Sequence, residues 1–398
     1  MIRKEPKPVL SSLSFNLDTD LLKAVMPLLE GEEVEAVEWT FDSLYQRKSV
    51  PVWFTDLVQA FAQAGRLLGH GIFYSLFSGK WMPEHAKWLD ELRAINQQYQ
   101  FAHITEHFGF MTGGDFHKGA PMAVPMTPET LALGQDRLQR LAQASGCPVG
   151  LENLAFAWSQ EEAEKHGYFL EALLEPVNGF LILDLHNLYC QVVNFGLDPD
   201  EAIKGYPLER VREIHVSGGS WADSTEVPGR KIRRDTHDAA VPQAVFDLLE
   251  MVLPQCPNLQ FVVMEQIGIA LKTEEAREQF REDFRQMALL VKSFNQANPD
   301  HRPDPFLPLT SLSLSDSPLE SPSIHHQQKQ LSSILESAPD HSGALKEFRK
   351  TQLSDHGWEY ESWPPHMLET AIRISQKWKG GFKTFLDREA KKGKAGNQ

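Results

Sequence analysis

Residues 180–185 read Phe-Leu-Ile-Leu-Asp-Leu, an apolar run that delivers an acid at its end. Such a run suits a buried strand of a parallel sheet, with the carboxylate at the strand's C-terminal edge. The pattern repeats outward in both directions. Short β-branched or apolar runs fall near 9–16, 34–41, 67–73, 101–107, 147–153, 211–217 and 260–266, which with 180–185 make eight strand candidates. The segments between them carry helical signals. Thr127-Pro128-Glu129 supplies an N-cap, a first-turn proline and an acid at a helix start, followed by Leu131, Leu138, Leu141 and Ala142 on one face. Thr273 with Glu274 and Glu275 opens a helix after the last strand in the same way. Alternating β and α elements imply a parallel sheet, and eight repeats imply closure into an α/β (β/α)8 TIM barrel.

The barrel is expected over residues 1–296. Residues 297–342 are rich in Pro, Ser, Asp and His with little periodicity and read as a linker. Residues 343–398 recover helical signals and aromatics (Trp358, Tyr360, Trp363, Trp378, Phe382 and Phe385) and end in the basic stretch KKGKAGNQ, so a small C-terminal helical appendage with a basic tail is expected. Its aromatics either cap the barrel or bind a partner peptide. The charges and prolines of the N-terminus and the lack of any run of transmembrane length point to a cytoplasmic protein with no membrane contact. Cys147, Cys190 and Cys256 are widely spaced and form no CxxC, which suggests neither a disulfide framework nor a thiolate zinc site; Cys190 lies close to Asp184. A net charge of −15 argues against nucleic-acid binding.

The chemistry is written at the strand ends, because a parallel barrel gathers the C-terminal ends of its strands at one mouth. His70 stands where strand becomes loop. In FAHITEH, His103, Thr105 and His107 share one face while Ile104 and Glu106 share the other; His107 is expected in the mouth and His103 lower in the barrel or its wall. Glu152 ends an apolar strand and can bridge two cations, with Asn153 expected to hold it in place. Asp184, His186 and Asn187 follow an apolar run, His215 precedes two glycines, Asp235 and His237 are two apart in RRDTHD, and Glu265 closes the series. A lone His or Asp at a strand end is ordinarily a hydrogen-bonded structural residue, and several carboxylates at one mouth without a cation would repel one another. Imidazoles mixed with carboxylates suit iron, manganese or zinc, and the number of ligands exceeds what one ion takes.

The segments HGIFYSL, ITEHFGF, GLENLAF, LDLHNLYCQVVNFG, EIHVSGG and RRDTHD, in this order and spacing over about residues 60–270, resemble the multinuclear non-heme iron-dependent oxidative enzymes, TIM-barrel relatives of the methanobactin biosynthesis oxidase. The resemblance implies an oxidoreductase with two or three mixed-valent irons that uses O2 to modify a residue, often cysteine, of a ribosomally made precursor peptide, with a leader-binding protein as a possible partner. It implies His70, His107, Glu152, Asp184, Asn187, His215, Asp235, His237 and Glu265 as ligands. Glu152 would bridge, His70 and His107 would serve one iron, Asp184, His215 and Glu265 a second, and Asp235 and His237 a third, with Glu152 and Asp184 central to catalysis. The chain departs from the family pattern at His186, where the first Asn of an Asn-Asn pair is usual, and at Gly219, where a second His is usual. Glu265 is followed by Gln-Ile rather than a charged pair, and the usual signature is lacking around VEWTF. Two other classes stay open on the residues alone: a zinc or manganese TIM-barrel sugar isomerase or phosphodiester hydrolase, and a non-catalytic metal- or peptide-binding protein.

Overall fold

The computed structural model describes residues 6–44, 50–112 and 120–380. Eight parallel strands close into a barrel: β1 (Leu10–Phe15), β2 (Ala36–Trp39), β3 (Leu67–His70), β4 (His103–His107), β5 (Val149–Glu152), β6 (Phe180–Asp184), β7 (Val211–Ser217) and β8 (Phe261–Glu265), with β8 pairing back onto β1. Every strand lies within its expected window. One main helix follows each strand: α1 (Thr19–Glu30), α2 (Val52–Gln63), α3 (Pro83–Tyr99), α4 (Pro128–Ser145), α5 (Gln160–Leu174), α6 (Leu185–Phe195), α7 (Gln243–Val252) and α8 (Glu274–Ala297). Thr127 caps α4 through Thr130 N, and Thr273 caps α8 through Ala276 N, so the capping signals mark true helix starts. Leu138 and Leu141 of α4 are buried against the barrel.

The register decides which side chains meet. His107 lies beside Glu152 and Asp184 beside His215, so adjacent strands present ligand-type residues side by side on the inner face. The alternation in β4 runs as the sequence implies: Thr105 and His107 reach toward the mouth, while His103 is sealed below them between the rings of Phe180 and Phe261. Phe306 closes the floor against Phe180.

Residues 297–342 differ from a plain linker, since α9 (Pro322–Ser337) begins inside them. The irregular part is strapped to the barrel wall. Pro305 O and Asp304 O accept from Arg212 Nη1 (2.6 Å) and Gln260 Nε2 (2.8 Å) at the floor, Ser315 O and Leu319 O accept from Arg140 and Arg137 of α4, and Ser321 N reaches Gly79 O near the mouth. The strap therefore carries the chain from the floor to the mouth side, where α9, α10 (His341–Phe348) and α11 (Pro365–Trp378) pack. Trp363 stacks on Trp158 of the loop after β5 at 3.9 Å, and Trp358 meets Phe110 edge-on. Trp358, Tyr360 and Trp363 are all buried, so these aromatics cap loops of the barrel. The basic tail and Phe382 and Phe385 lie outside the described residues. Cys147, Cys190 and Cys256 are free and buried. No helix among the described residues is long and apolar enough to cross a membrane.

Candidate metal centre

Strand ends, the loops after them and the first turn of α6 bring His70, His107, Glu152, Asp184, Asn187, His215, Asp235, His237 and Glu265 to the mouth. Two groups have ligand atoms mutually close enough for one cation each: His70, His107 and Glu152, and then Glu152, Asp184, His215 and Glu265. Glu152 is common to both. Its Oε2 lies 3.2 Å from His70 Nε2 and 3.2 Å from His107 Nε2, while its Oε1 faces His215 Nδ1 at 3.6 Å. Glu265 Oε2 stands 3.3 Å from His215 Nδ1 and 3.6 Å from His237 Nδ1, and His237 Nε2 is 2.7 Å from Asp235 Oδ1. Asp235 and His237 thus sit one step beyond the second group, joined to it through Glu265. His237 holds a left-handed backbone (φ 50°), a conformation that costs free energy in a non-glycine residue, and its carbonyl accepts from Ile267 N beside Glu265.

Three of the imidazoles are oriented from behind. His70 Nδ1 meets Thr105 Oγ1 at 2.8 Å, and that hydroxyl donates to Gly69 O, so the His70 proton belongs on Nδ1 and Nε2 is left for the mouth. His107 Nδ1 donates to Gly71 O. His215 Nε2 meets Glu213 Oε1 at 3.1 Å, leaving Nδ1 toward Glu152 and Glu265. Acceptors behind metal-type histidines fix ring and tautomer in this way. A third grouping, Glu38 and Glu213 with His215, uses the rear nitrogen of the same ring. Here Glu213 accepts the Nε2 proton and the Glu38 carboxyl stands 3.3 Å away, since cations on both nitrogens would require an imidazolate.

The electrostatics ask for cations. Burial alone would raise the Glu152 carboxyl, but His107, His215 and His70 outweigh it and hold it well below the usual range. Burial is likewise outweighed at Glu265, which His215 and His237 bring down to about 2. Asp184 is pushed well up by burial and by the charges of Glu152 and Asp235. At His70 burial works downward, yet Glu38 and Glu152 raise the ring to about 10. Glu152 Oε2, Asp184 Oδ2, Asn187 Oδ1 and His215 Nδ1 are buried without a hydrogen-bond partner, and all belong to the mouth. A donor set of imidazoles and carboxylates with unpaired buried atoms fits divalent or trivalent transition-metal ions.

Asn153 plays a different part from the one expected. Its side chain brackets the end of β6, accepting from Asp184 N at 2.7 Å and donating to Asp184 O at 3.2 Å, whereas it is Asn187 Nδ2 that reaches Glu152 Oε1, at 3.4 Å. Asp184 caps α6 through Asn187 N. Glu38, Thr105, Arg212, Glu213 and Arg233 support the ligand-type residues and were not singled out from sequence. Glu213 carried a signal, being two residues before His215 on the same strand face. Side-chain exposures of 23 % at His107, 21 % at His237 and 30 % at Asp235, against 3 % at Glu152 and 0 % at His215, set the open side of the centre.

The profile of the RiPP precursor modification enzymes MbnB/TglH/ChrH matches residues 33–273, more than half of the chain. The chain belongs to this family. As a MbnB/TglH/ChrH member it is an enzyme of a family that modifies precursors of ribosomally synthesised and post-translationally modified peptides (RiPPs), which implies a precursor peptide as substrate. Among curated proteins it is 28 % identical to a UPF0276 protein of Neisseria meningitidis serogroup C over 199 residues, covering 49 % of this chain and 68 % of that one. It is 33 % identical to a UPF0276 protein of Streptomyces avermitilis over 156 residues, 37 % of this chain and 30 % of that one. Similar solved structures include an L-ribulose 3-epimerase (TM-score 0.44, 11 % identity, 73 % of this chain and 97 % of that one) and an IOLI protein with a bound zinc atom (TM-score 0.46, 13 % identity, 71 % and 98 %). At such values these neighbours say nothing about activity.

Proposed function

We propose that the protein is an iron-dependent oxidoreductase that uses O2 to modify a residue, cysteine being the favoured one, of a ribosomally synthesised peptide. The observation that carries this reading is the sharing of Glu152 between two ligand groups, which suits a pair of adjacent ions rather than one. His70 and His107 with Glu152 would hold one iron, Glu152 with Asp184, His215 and Glu265 a second, and Asp235 and His237 a third, with Asn187, beside Glu152 and Asp184, a further candidate ligand. Iron held there, two or three ions in mixed valence, would supply a Lewis-acidic seat for a substrate thiolate and the electrons for O2.

The chain's own residues do the rest. Glu152 fixes the spacing of the two groups, and Asp184, whose charge burial and the carboxylates of Glu152 and Asp235 disfavour, is the ligand whose charge a cation at the mouth would relieve. The floor plug at Phe306 and the buried strand ends exclude water from below, so peptide and O2 enter from the side of His107, Asp235 and His237. The capping helices, or a separate leader-binding protein, would then guide the peptide. Three buried free thiols suit a reducing, cytoplasmic setting.

The test is metal analysis of anaerobically purified protein with Mössbauer spectroscopy of iron-57-grown material, followed by O2 uptake with cysteine-containing peptides. Two or three coupled irons per chain with peptide-dependent O2 uptake are expected. Stoichiometric zinc or manganese that iron cannot replace would overturn the oxidase and favour hydrolysis or isomerisation; tight metal with no turnover would favour a binding protein.

A further inference from the structure

His186 is fully buried, and its environment is asymmetric. Arg233 Nε lies 3.0 Å from His186 Nε2. Arginine offers only donors, so this nitrogen must accept, and the neutral ring carries its proton on Nδ1. That Nδ1 has no hydrogen-bond partner and faces Asp235 Oδ1 at 3.5 Å, the far edge of hydrogen-bonding range. The same Asp235 oxygen is 2.7 Å from His237 Nε2.

The space for this ring is made by Gly219. A Cβ there would lie 2.8 Å from His186 Cε1 and 2.2 Å from Arg234 O, so only glycine lets the imidazole and the backbone leading to Asp235 pack against the turn after β7. The two departures from the family pattern, a histidine at 186 and a glycine at 219, are therefore one structural feature.

We propose that His186 is a positioning residue for the Asp235/His237 end of the centre: Arg233 sets its tautomer, and its Nδ1–H orients the Asp235 carboxylate toward a cation. The fixed proton prevents the same nitrogen from serving as a ligand. The 3.5 Å contact is a preformed approach of the kind that tightens when the partner is engaged. The proposal rests on the reading of the mouth as a multi-cation centre and is independent of oxidation.

The test is anaerobic titration of metal-stripped full-length protein with Co(II) against a competing chelator, read by stoichiometry and by the cobalt d–d bands, so it stands even if O2 uptake is never seen. His186→Leu is expected to weaken one cation per chain by about 10–100-fold, the usual effect of losing an outer-shell partner, and to leave the tighter cations unchanged. His186→Asn, which keeps an N–H donor near the Nδ1 position, is expected to restore affinity and bands. Arg233→Met retains the ring but frees its tautomer, and is expected to weaken the same cation by less; it serves where His186→Leu does not fold. Wild-type affinity in His186→Leu overturns the proposal. His186→Asn behaving like His186→Leu also overturns it, because the imidazole itself would then be the ligand. A wild type that takes no cation overturns both this proposal and the metal reading.

Discussion

Glu152→Gln keeps the volume of the side chain and removes its charge, and two consequences can be worked from the geometry. In the metal-free protein His70 is protonated at neutral pH and stands 3.2 Å from the carboxylate. At an effective dielectric of about 20 that contact is worth about 5 kcal/mol of attraction, and breaking a buried pair by deleting one partner costs about 3–5 kcal/mol. With an unfolding entropy of about 2.1 cal/mol/K per residue, a chain of 398 residues loses roughly 4–6 °C of Tm. The second consequence is metal loss. Outer-shell substitutions cost about 10–100-fold in metal affinity, so removing a carboxylate shared by two ligand groups should cost more than about 100-fold at both. Glu265→Gln is the control, because Glu265 belongs to the second group and not to the first. Metal per chain by mass spectrometry of protein desalted under nitrogen, with calorimetry of stripped protein alongside, reads both effects. Glu152→Gln should lose at least two ions where Glu265→Gln retains the one beside His70 and His107. Wild-type stoichiometry in Glu152→Gln, or equal losses in the two variants, would refute the shared role.

The pH dependence of the metal-free protein follows from His70, raised from 6.5 to about 10 by Glu38 and Glu152 against the pull of burial. A raised histidine stabilises the fold fully below pH 6.5, and this contribution is lost as pH climbs through about 10. Stripped protein should therefore lose Tm over that window, and metal uptake at neutral pH should release protons, measurable by titration calorimetry in buffers of different ionisation enthalpy; uptake without proton release would contradict the assignment. Glu369→Ala removes the carboxylate of α11 that accepts from Ser224 Oγ (2.6 Å), Thr225 N (3.0 Å) and Thr225 Oγ1 (2.6 Å). A loss of about 1.5–3 kcal/mol, roughly 2–4 °C in Tm, is expected, and an unchanged Tm would mean the capping helices are not coupled to that loop. Phe306→Ala opens the floor beneath Phe180 and should cost about 3–5 kcal/mol by denaturant unfolding; a change below about 1 kcal/mol would show that the strap is dispensable.

The barrel was legible because a parallel strand buried on both faces has little choice of side chain, so Phe180–Asp184 and Phe261–Glu265 announce themselves as apolar runs with an acid at the rim. The mouth was legible for the same reason, since a strand end fixes where its last side chain goes. What escaped was polar material inside the barrel. Glu38, Arg212 and Glu213 would sit on a solvent face in most strands, and only the closed topology turns them inward or under the floor. Helix α9 escaped because its buried stripe, Ile324, Gln328, Leu331 and Leu335, keeps helical spacing but places a glutamine in a seat normally apolar. That glutamine is spent on Phe77 O and Gly79 N, a partnership invisible from the helix itself. Asn153 was expected to hold Glu152, and it instead ties the end of β6, because an amide beside a strand end finds the neighbouring backbone first.

The centre is oriented by one device built twice. On the floor, Arg212 Nε donates to His103 Nδ1, His103 Nε2 faces Glu213 at 2.6 Å, and Glu213 meets His215. At the rim, Arg233 Nε donates to His186, which faces Asp235, which meets His237. In each case the guanidinium lies between two aromatic faces, Phe180 and Phe261 for Arg212 and Tyr189 and Trp221 for Arg233. Arginine suits this position because it stays charged and offers no acceptor, so the proton order along each chain is set with or without a cation. Flanking rings hold the planar group in place and add cation–π attraction. The two copies differ in surroundings. His103 and Glu213 are wholly enclosed, and removing His103 leaves the Glu213 carboxylate as a buried charge that the fold must bear. The rim copy ends at a half-exposed Asp235 and leans on an exposed Trp221, where water can solvate what a substitution uncovers. His186, rather than His103, is therefore the position at which orientation of a metal ligand can be separated from stability of the barrel.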